Sequence, residues 1–139
     1  MEINTTHKGF TILELMIAIA IIALLAAATI TMYDSAKVKS RDSKRAADMV
    51  QIQNGLNLYF TDHSLFPVFP GGITITGNDA FSMALINGGH MAGVPIDPSP
   101  TYSYTYASNS SGTTYQITFC IEGDSLRDYS IGCDNTISP

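Results

Sequence analysis

The chain contains no tryptophan, only two cysteines, and no proline before Pro67. Charge is also scarce: Asp, Glu, Lys and Arg together make up 14% of the 139 residues. Each shortage excludes something. Two cysteines, Cys120 and Cys133, without a Cys-x-x-Cys or Cys/His spacing, provide neither a structural zinc site nor a dense disulfide scaffold. In a reducing compartment they would be two thiols; outside the membrane they can close a loop worth about 3 kcal/mol on a chain-entropy estimate, and the pairing is expected if the chain is exported. Low charge combined with 45% apolar residues is not the composition of long disorder. The balance is −5, and from Asp62 onward seven acids face one base, Arg127. Such a body repels phosphate, so no direct nucleic-acid binding is expected. The three histidines, His7, His63 and His90, stand at no motif's spacing, and Gly71-Gly72 and Gly88-Gly89 read as turns. No catalytic or cofactor-binding residue is assigned, and the chain is not read as an enzyme.

What the chain does have is one long apolar run. Leu15 to Ala28 carries no polar side chain, and with its flanks, Phe10 to Met32, it is long enough to cross about 30 Å of hydrocarbon as a helix. Glu14 sits just inside its start. A carboxylate at the centre of a spanning helix costs about 2.5–3.5 kcal/mol, less near the end where water is close. One reading of the run is a secretory signal, with Ala26-Ala27-Ala28 as a small-x-small cleavage site; the length of the run and the interrupting Glu14 oppose it. A second is an ordinary anchor. Five of the seven basic residues (Lys37, Lys39, Arg41, Lys44, Arg45) follow the run and outnumber Lys8, so flanking charge alone would leave the body in the cytoplasm.

Beyond the run, Ala46, Met49, Ile52, Leu56 and Tyr59 recur at spacings of three and four, with Val50 and Phe60 widening the stripe. With no proline to interrupt it, one helix is predicted from about Phe10 to about Thr61, apolar all round in its first half and amphipathic in its second. Phe66-Pro67 and Phe69-Pro70-Gly71-Gly72 end it. Asn78 is read as the cap of a short helix through Phe81 and Ile86, stopped by Gly88. Tyr102, Tyr104 and Tyr106 alternate with small polar residues, as do Tyr115, Ile117, Phe119 and Ile121, and Asn109-Ser-Ser-Gly112 lies between: a hairpin. A last short strand is placed near Tyr129 to Cys133. The fold class is α+β, a small antiparallel sheet packed on the C-terminal half of one long helix.

The stretch G-F-T-I-L-E-L-M-I-A-I-A-I-I-A-L-L-A-A-A, residues 9–28, resembles the N-terminus of type IV pilins and the related pseudopilins of type II secretion. Tyr33 matches a tyrosine common after their apolar run. L-N-L-Y-F-T-D-H-S-L-F-P, residues 56–67, is similar to the end of their long helix, and Ile96-Asp97-Pro98 with Tyr102 and Tyr104 to the approach to their sheet. The resemblance implies a type IV pilin-like fold and a leader, residues 1–9, removed after Gly9 by a prepilin peptidase that also N-methylates Phe10. It further implies a filament-core helix half, 10–32, and a globular domain, 33–139, with amphipathic helix 33–61, loop and short helix 62–100, sheet 101–133 and tail 134–139. The implied partners are copies of the chain itself in a helical filament, the peptidase and methyltransferase, the inner-membrane assembly machinery, and membrane lipid before assembly. The precursor would cross the inner membrane once with a cytoplasmic N-terminus, then join an extracellular pilus or a periplasm-spanning pseudopilus. Glu14 matches the family's glutamate, whose proposed partner is the free amine of Phe10 on a neighbouring subunit. Buried acids are expensive unless paired, so cleavage would couple to assembly. Family members often carry glycine at the position of Ala23 and proline at that of Thr31, so less helix unwinding is expected here.

Some features have two readings. The basic neck, Lys37 to Arg45, is either a solvated helix face or a contact for acidic groups of adjacent bodies. Asp124, Asp128 and Asp134 suit a hard cation, but a solvated loop is preferred and no metal ligand is assigned. The tyrosine strip suits strand packing better than ligand binding, and Asn109-Ser-Ser fits a glycosylation sequon only weakly. The function expected is that of a structural subunit of a pilus-like filament serving adhesion, motility or DNA uptake. The alternatives are a major-type pseudopilin and a monomeric membrane-anchored binding module.

Overall fold

The computed structural model describes residues 9–139, apart from the side chains of 28–31. Residues 1–8 of the expected leader, with His7 and Lys8, lie outside the described residues. The elements in chain order are α1 (Ile12–His63), β1 (Ile73–Ile75), α2 (Ala80–Asn87), β2 (Tyr104–Ser108), β3 (Tyr115–Ile121) and β4 (Gly132–Ile137). The chain divides into two compact units, one ending at Lys37 and one running from Val38 to Pro139.

In the first unit the described part of α1 from Leu15 to Ala27 carries only apolar side chains, and its large ones are exposed. Phe10, Ile12, Leu13, Leu24 and Leu25 are each more than 60% exposed. The segment is apolar and long enough to cross a membrane, and none of it is buried.

In the second unit the same helix acquires a buried stripe. Met49, Ile52 and Leu56 are at most 1% exposed, and Tyr59 packs against the same core. Val50 and Phe60, expected to widen the stripe, are instead 56% and 41% exposed, because the helical period turns them away from it. Gly55 lies between the core positions; a Cβ there would strike the Met91 side chain. Its helix-propensity cost of about 1 kcal/mol relative to alanine is therefore the condition for close approach of the segment after α2. The helix stops before the expected Phe66-Pro67 signal. Ser64 takes φ 57° and donates its N–H to the Phe60 carbonyl at 2.7 Å, a left-handed cap without glycine.

The sheet is a plain antiparallel meander in the order β1-β2-β3-β4. Its inner face aligns Ile73, Tyr106, Ile117 and Ile137 across all four strands. Tyr104, Tyr106, Ile117 and Phe119 are fully buried against Phe81, Leu85, Ile52 and Leu56. The rings interlock: Phe81 stacks on Tyr106 at 4.2 Å, and Phe66 meets Tyr115 edge-on at 4.7 Å. Gly112 closes the β2–β3 hairpin at φ 66°, and its carbonyl accepts from Phe66 N at 2.8 Å, tying the turn to the chain leaving α1.

Four details differ from the sequence expectations. β1 went unseen because Ile-Thr-Ile is too short to show a period. The cap of α2 is Asp79 rather than Asn78: the Asp79 carboxylate accepts from Ser82 N at 3.0 Å, Ser82 Oγ at 2.6 Å and Thr76 N at 2.8 Å. Tyr102 falls outside β2. The final strand is Gly132–Ile137 rather than Tyr129 to Cys133, since its inward positions are Asn135 and Ile137, an alternation that apolar pattern alone does not mark.

Candidate functional site

The N-terminal candidate site begins at Gly9 and Phe10, both exposed and ahead of the helix. Thr11 is the cap of α1 and Glu14 stands three residues on. Thr11 N and Thr11 Oγ1 donate to Glu14 Oε2 at 2.9 and 2.8 Å, while Glu14 N donates to Thr11 Oγ1 at 3.2 Å. This is a capping box, in which hydroxyl and carboxylate satisfy each other's backbone amides. A carboxylate in the helix's first turn also complements the positive end of the helix dipole. So within one subunit Glu14 has a local role: it draws its partners from Thr11. The signal, Thr-x-x-Glu just before an apolar run, stands in the sequence, and reading Glu14 only as an acid in a membrane segment overlooks it. The Thr11 contacts use Oε2.

Lys37, Lys39 and Lys44 of the basic neck are exposed, as a solvated helix face would be, whereas Arg41 and Arg45 are placed differently from either sequence reading. Arg45 is fully buried. Its Nε and Nη2 donate to both carboxylate oxygens of Asp97 at 2.8 Å, and Nη1 reaches Asp42 at 2.8 Å and Glu122 at 2.7 Å. The Tyr102 ring lies 5.2 Å from the guanidinium carbon. Arg41 donates from Nε to Glu122 at 2.8 Å and makes a second, shorter bond to it. Lys44 pairs with Asp48 at 3.1 Å, and Asp48 accepts from the Tyr104 hydroxyl at 2.9 Å. Asp42 also accepts from Glu122 N and Gly123 N at 3.0 and 2.8 Å. Three of the five cations are thus committed inside their own unit. They join α1 to the 97–99 loop and to the end of β3, so Arg45 is not available to an adjacent body.

The charges follow from these contacts. Burial pulls the Arg45 guanidinium down, but its hydrogen bonds with Asp97, Glu122 and Asp42 outweigh that and hold it above its ordinary value. The hydrogen bond from Arg41, opposed by burial and reinforced by Arg45, lowers Glu122 to about 2. Burial, then donation to Asp48, pushes the Tyr104 hydroxyl up. These contacts fasten α1 to the 97–99 loop and to the end of β3.

The remaining candidates are dispersed. Cys120 and Cys133 are joined by a disulfide with Cα atoms 3.9 Å apart. Asp124, Asp128 and Asp134 are exposed, and among the described residues no group of three ligating side chains forms a cation site. His63 is the last residue of α1 and stacks on Tyr59 at 4.1 Å, while His90 is buried with Nδ1 3.6 Å from Asp62. Asn109 spends its amide within the hairpin, donating to Thr113 Oγ1 at 2.6 Å and accepting from Thr113 N at 2.9 Å.

The family described as "prokaryotic N-terminal methylation motif" matches residues 4–30. The chain is similar to the type II secretion system core protein G of Aeromonas hydrophila, 28% identical over 66% of this chain and 67% of that protein. It is also similar to the protein of the same name in Vibrio cholerae, 29% identical over 66% of this chain and 65% of that protein. A type IV major pilin of Neisseria gonorrhoeae is 31% identical over 55% of this chain and 36% of its own length. The chain thus spans about two thirds of the protein G relatives and about a third of the pilin. No solved structure matches the chain. Its N-terminus is a prepilin-like methylation motif, and its homologues are pseudopilins and type IV major pilins.

Proposed function

We propose that this relative of the pilins and pseudopilins is the precursor of a structural subunit, cut after Gly9, N-methylated on Phe10 and polymerised into a filament through the first half of α1. The observation that carries the reading is the apolar helix with its large described side chains exposed, headed by the Thr11–Glu14 capping box, in a segment that matches the methylation motif. A helix apolar on every side is stable only in lipid or among other such helices. The chain would start as a single-pass membrane protein and end as a polymer in which the helices cover one another. In the polymer Glu14 would accept from the Phe10 amine of a neighbouring copy, a charge partner that exists only once the leader is gone. The second unit, with its own core, would form the outer surface.

The filament is read as a pilus for adhesion, motility or DNA uptake. The two protein G relatives, each aligned over 66% of this chain, favour a second reading, the major-type pseudopilus of a secretion system. No catalytic role is assigned to the chain. In a cell with its native assembly machinery, electron microscopy should show filaments with the wild-type chain and almost none with Glu14→Leu at an equal membrane level. Filaments of normal abundance from Glu14→Leu would refute the assigned role. Deleting the gene separates the two readings, because a pilus is lost from the surface in one and an exported protein stays in the periplasm in the other.

A further inference from the structure

Arg41, Lys44 and Arg45 are taken up by carboxylates of their own unit, which leaves Lys37 and Lys39 of the neck without a role. Both are exposed, and among the described residues neither has an ion-pair partner. Both lie on α1. Two positions apart on a helix, their side chains leave the axis about 200° apart. A single bound anion would call for cations three or four positions apart, on one face. Two on opposite sides suit something that surrounds the helix.

Position along α1 says what that is. The apolar segment from Phe10 to Met32 covers about 34 Å at 1.5 Å per residue, against about 30 Å of hydrocarbon. Counted along the helix, Lys37 follows Met32 by about 7 Å and Lys39 by about 10 Å. The headgroup layer adds about 5–8 Å beyond the hydrocarbon, and a lysine's flexible stem lets its ammonium reach back to it. Tyr33, exposed at the start of this stretch, stands where aromatic side chains meet the membrane interface.

We propose that Lys37 and Lys39 form a cationic collar that binds the phosphate groups of anionic phospholipids at the end of the membrane span, before the subunit enters a polymer. The inference rests on the membrane-anchored precursor of the proposed function and names the lipid class it contacts. Three observations select anionic lipid as the occupant. The charges are complementary, the collar continues a segment that lipid already surrounds, and headgroups approach a spanning helix from all sides. Asp34, exposed in the same stretch and also without an ion-pair partner among the described residues, opposes the collar and leaves it, at two bases less one acid, with a net charge of +1. The contact is therefore a preference among exchanging lipids. That weakness suits a subunit that leaves the bilayer for a filament and releases its lipids as it goes.

The test uses the full-length chain reconstituted into phosphatidylcholine vesicles, with a trace of phosphatidylglycerol or phosphatidylcholine spin-labelled on its acyl chain. Electron spin resonance gives the fraction of each lipid slowed by contact with the helix. Phosphatidylglycerol should be preferred about threefold, and the preference should vanish at about 1 M salt, where the Debye length is about 3 Å. Lys37→Gln combined with Lys39→Gln should abolish it while the chain still floats with the vesicles, and Asp34→Asn should raise it. The two single lysine variants should each lower it, and they decide the matter if the double variant does not insert. Arg127→Gln, an exposed cation in the segment before β4, should leave it unchanged. Inorganic phosphate added at constant ionic strength should also leave it unchanged; loss of the preference there would assign the collar to free phosphate and overturn the lipid assignment. An inserted wild-type chain with no preference, a preference that survives loss of both lysines or high salt, or one that Arg127→Gln abolishes equally overturns the proposal. A wild-type chain that fails to float with the vesicles removes the membrane-anchor reading instead, and this inference with it.

Discussion

One helix, α1, lives in two environments. Up to Lys37 its large apolar side chains, among the described residues, are exposed. From Val38 its inward positions are covered by the sheet and α2. The difference separates what a single subunit can stabilise from what it must delegate. The second unit has a core of its own, whereas on the proposed function the first is covered by lipid or by other copies. Glu14 and Arg45 show the same contrast in charge. Glu14 is exposed and held only locally, by Thr11 three residues away, while Arg45 is buried and held by Asp42 three residues away and also by carboxylates 52 and 77 positions distant in sequence.

The comparison can be broken most severely at Arg45. Arg45→Met leaves Asp42 and Asp97 buried without their cation, and removing one partner of a buried ion pair costs about 3–5 kcal/mol. Urea denaturation of the detergent-solubilised chain should show that loss as a lower midpoint. Next, Ile52→Ala should destabilise the body by about 2–5 kcal/mol through the cavity it leaves. Ile21→Ala, the same chemistry in the first unit, should shift the midpoint by less than about 0.5 kcal/mol, as exposed sites do. Equal effects of the two would dissolve the distinction between the units. Removing the disulfide with Cys120→Ser and Cys133→Ser should cost about 3 kcal/mol by the loop-closure estimate, seen as a lower melting temperature relative to the oxidised chain.

The last effect expected is the pH dependence from Glu122. Its folded-state pKa lies near 2, below its ordinary value of 4.5. Its contribution is therefore fully present above about 4.5 and lost as pH falls toward 2. A melting-temperature profile should decline through that window, and Glu122→Gln should flatten the decline.

Much of this arrangement was legible from residue order alone. Met49, Ile52, Leu56 and Tyr59 declare the inward face of α1 by period, and the alternations at Tyr104–Tyr106 and Tyr115–Ile121 declare the central hairpin. The stripe in fact extends toward the N-terminus through Asp42 and Arg45 at the same three- and four-residue spacings. A hydrophobic pattern passes over them because they are charged, and their partners Asp97 and Glu122 lie far along the chain. The same blindness makes Arg41 and Arg45 read as surface along with Lys37, Lys39 and Lys44, which are exposed. Local chemistry was missed for a different reason: Thr11-x-x-Glu14 is a capping box in plain sight, masked by the attention a lone acid in an apolar run attracts.

The most direct test of the central claim is the intact mass and N-terminal sequence of the chain taken from membranes of a cell with its own processing enzymes. The account predicts a chain that begins at N-methylated Phe10. A chain that begins after Ala28, or that retains residues 1–9 while forming filaments, would contradict it.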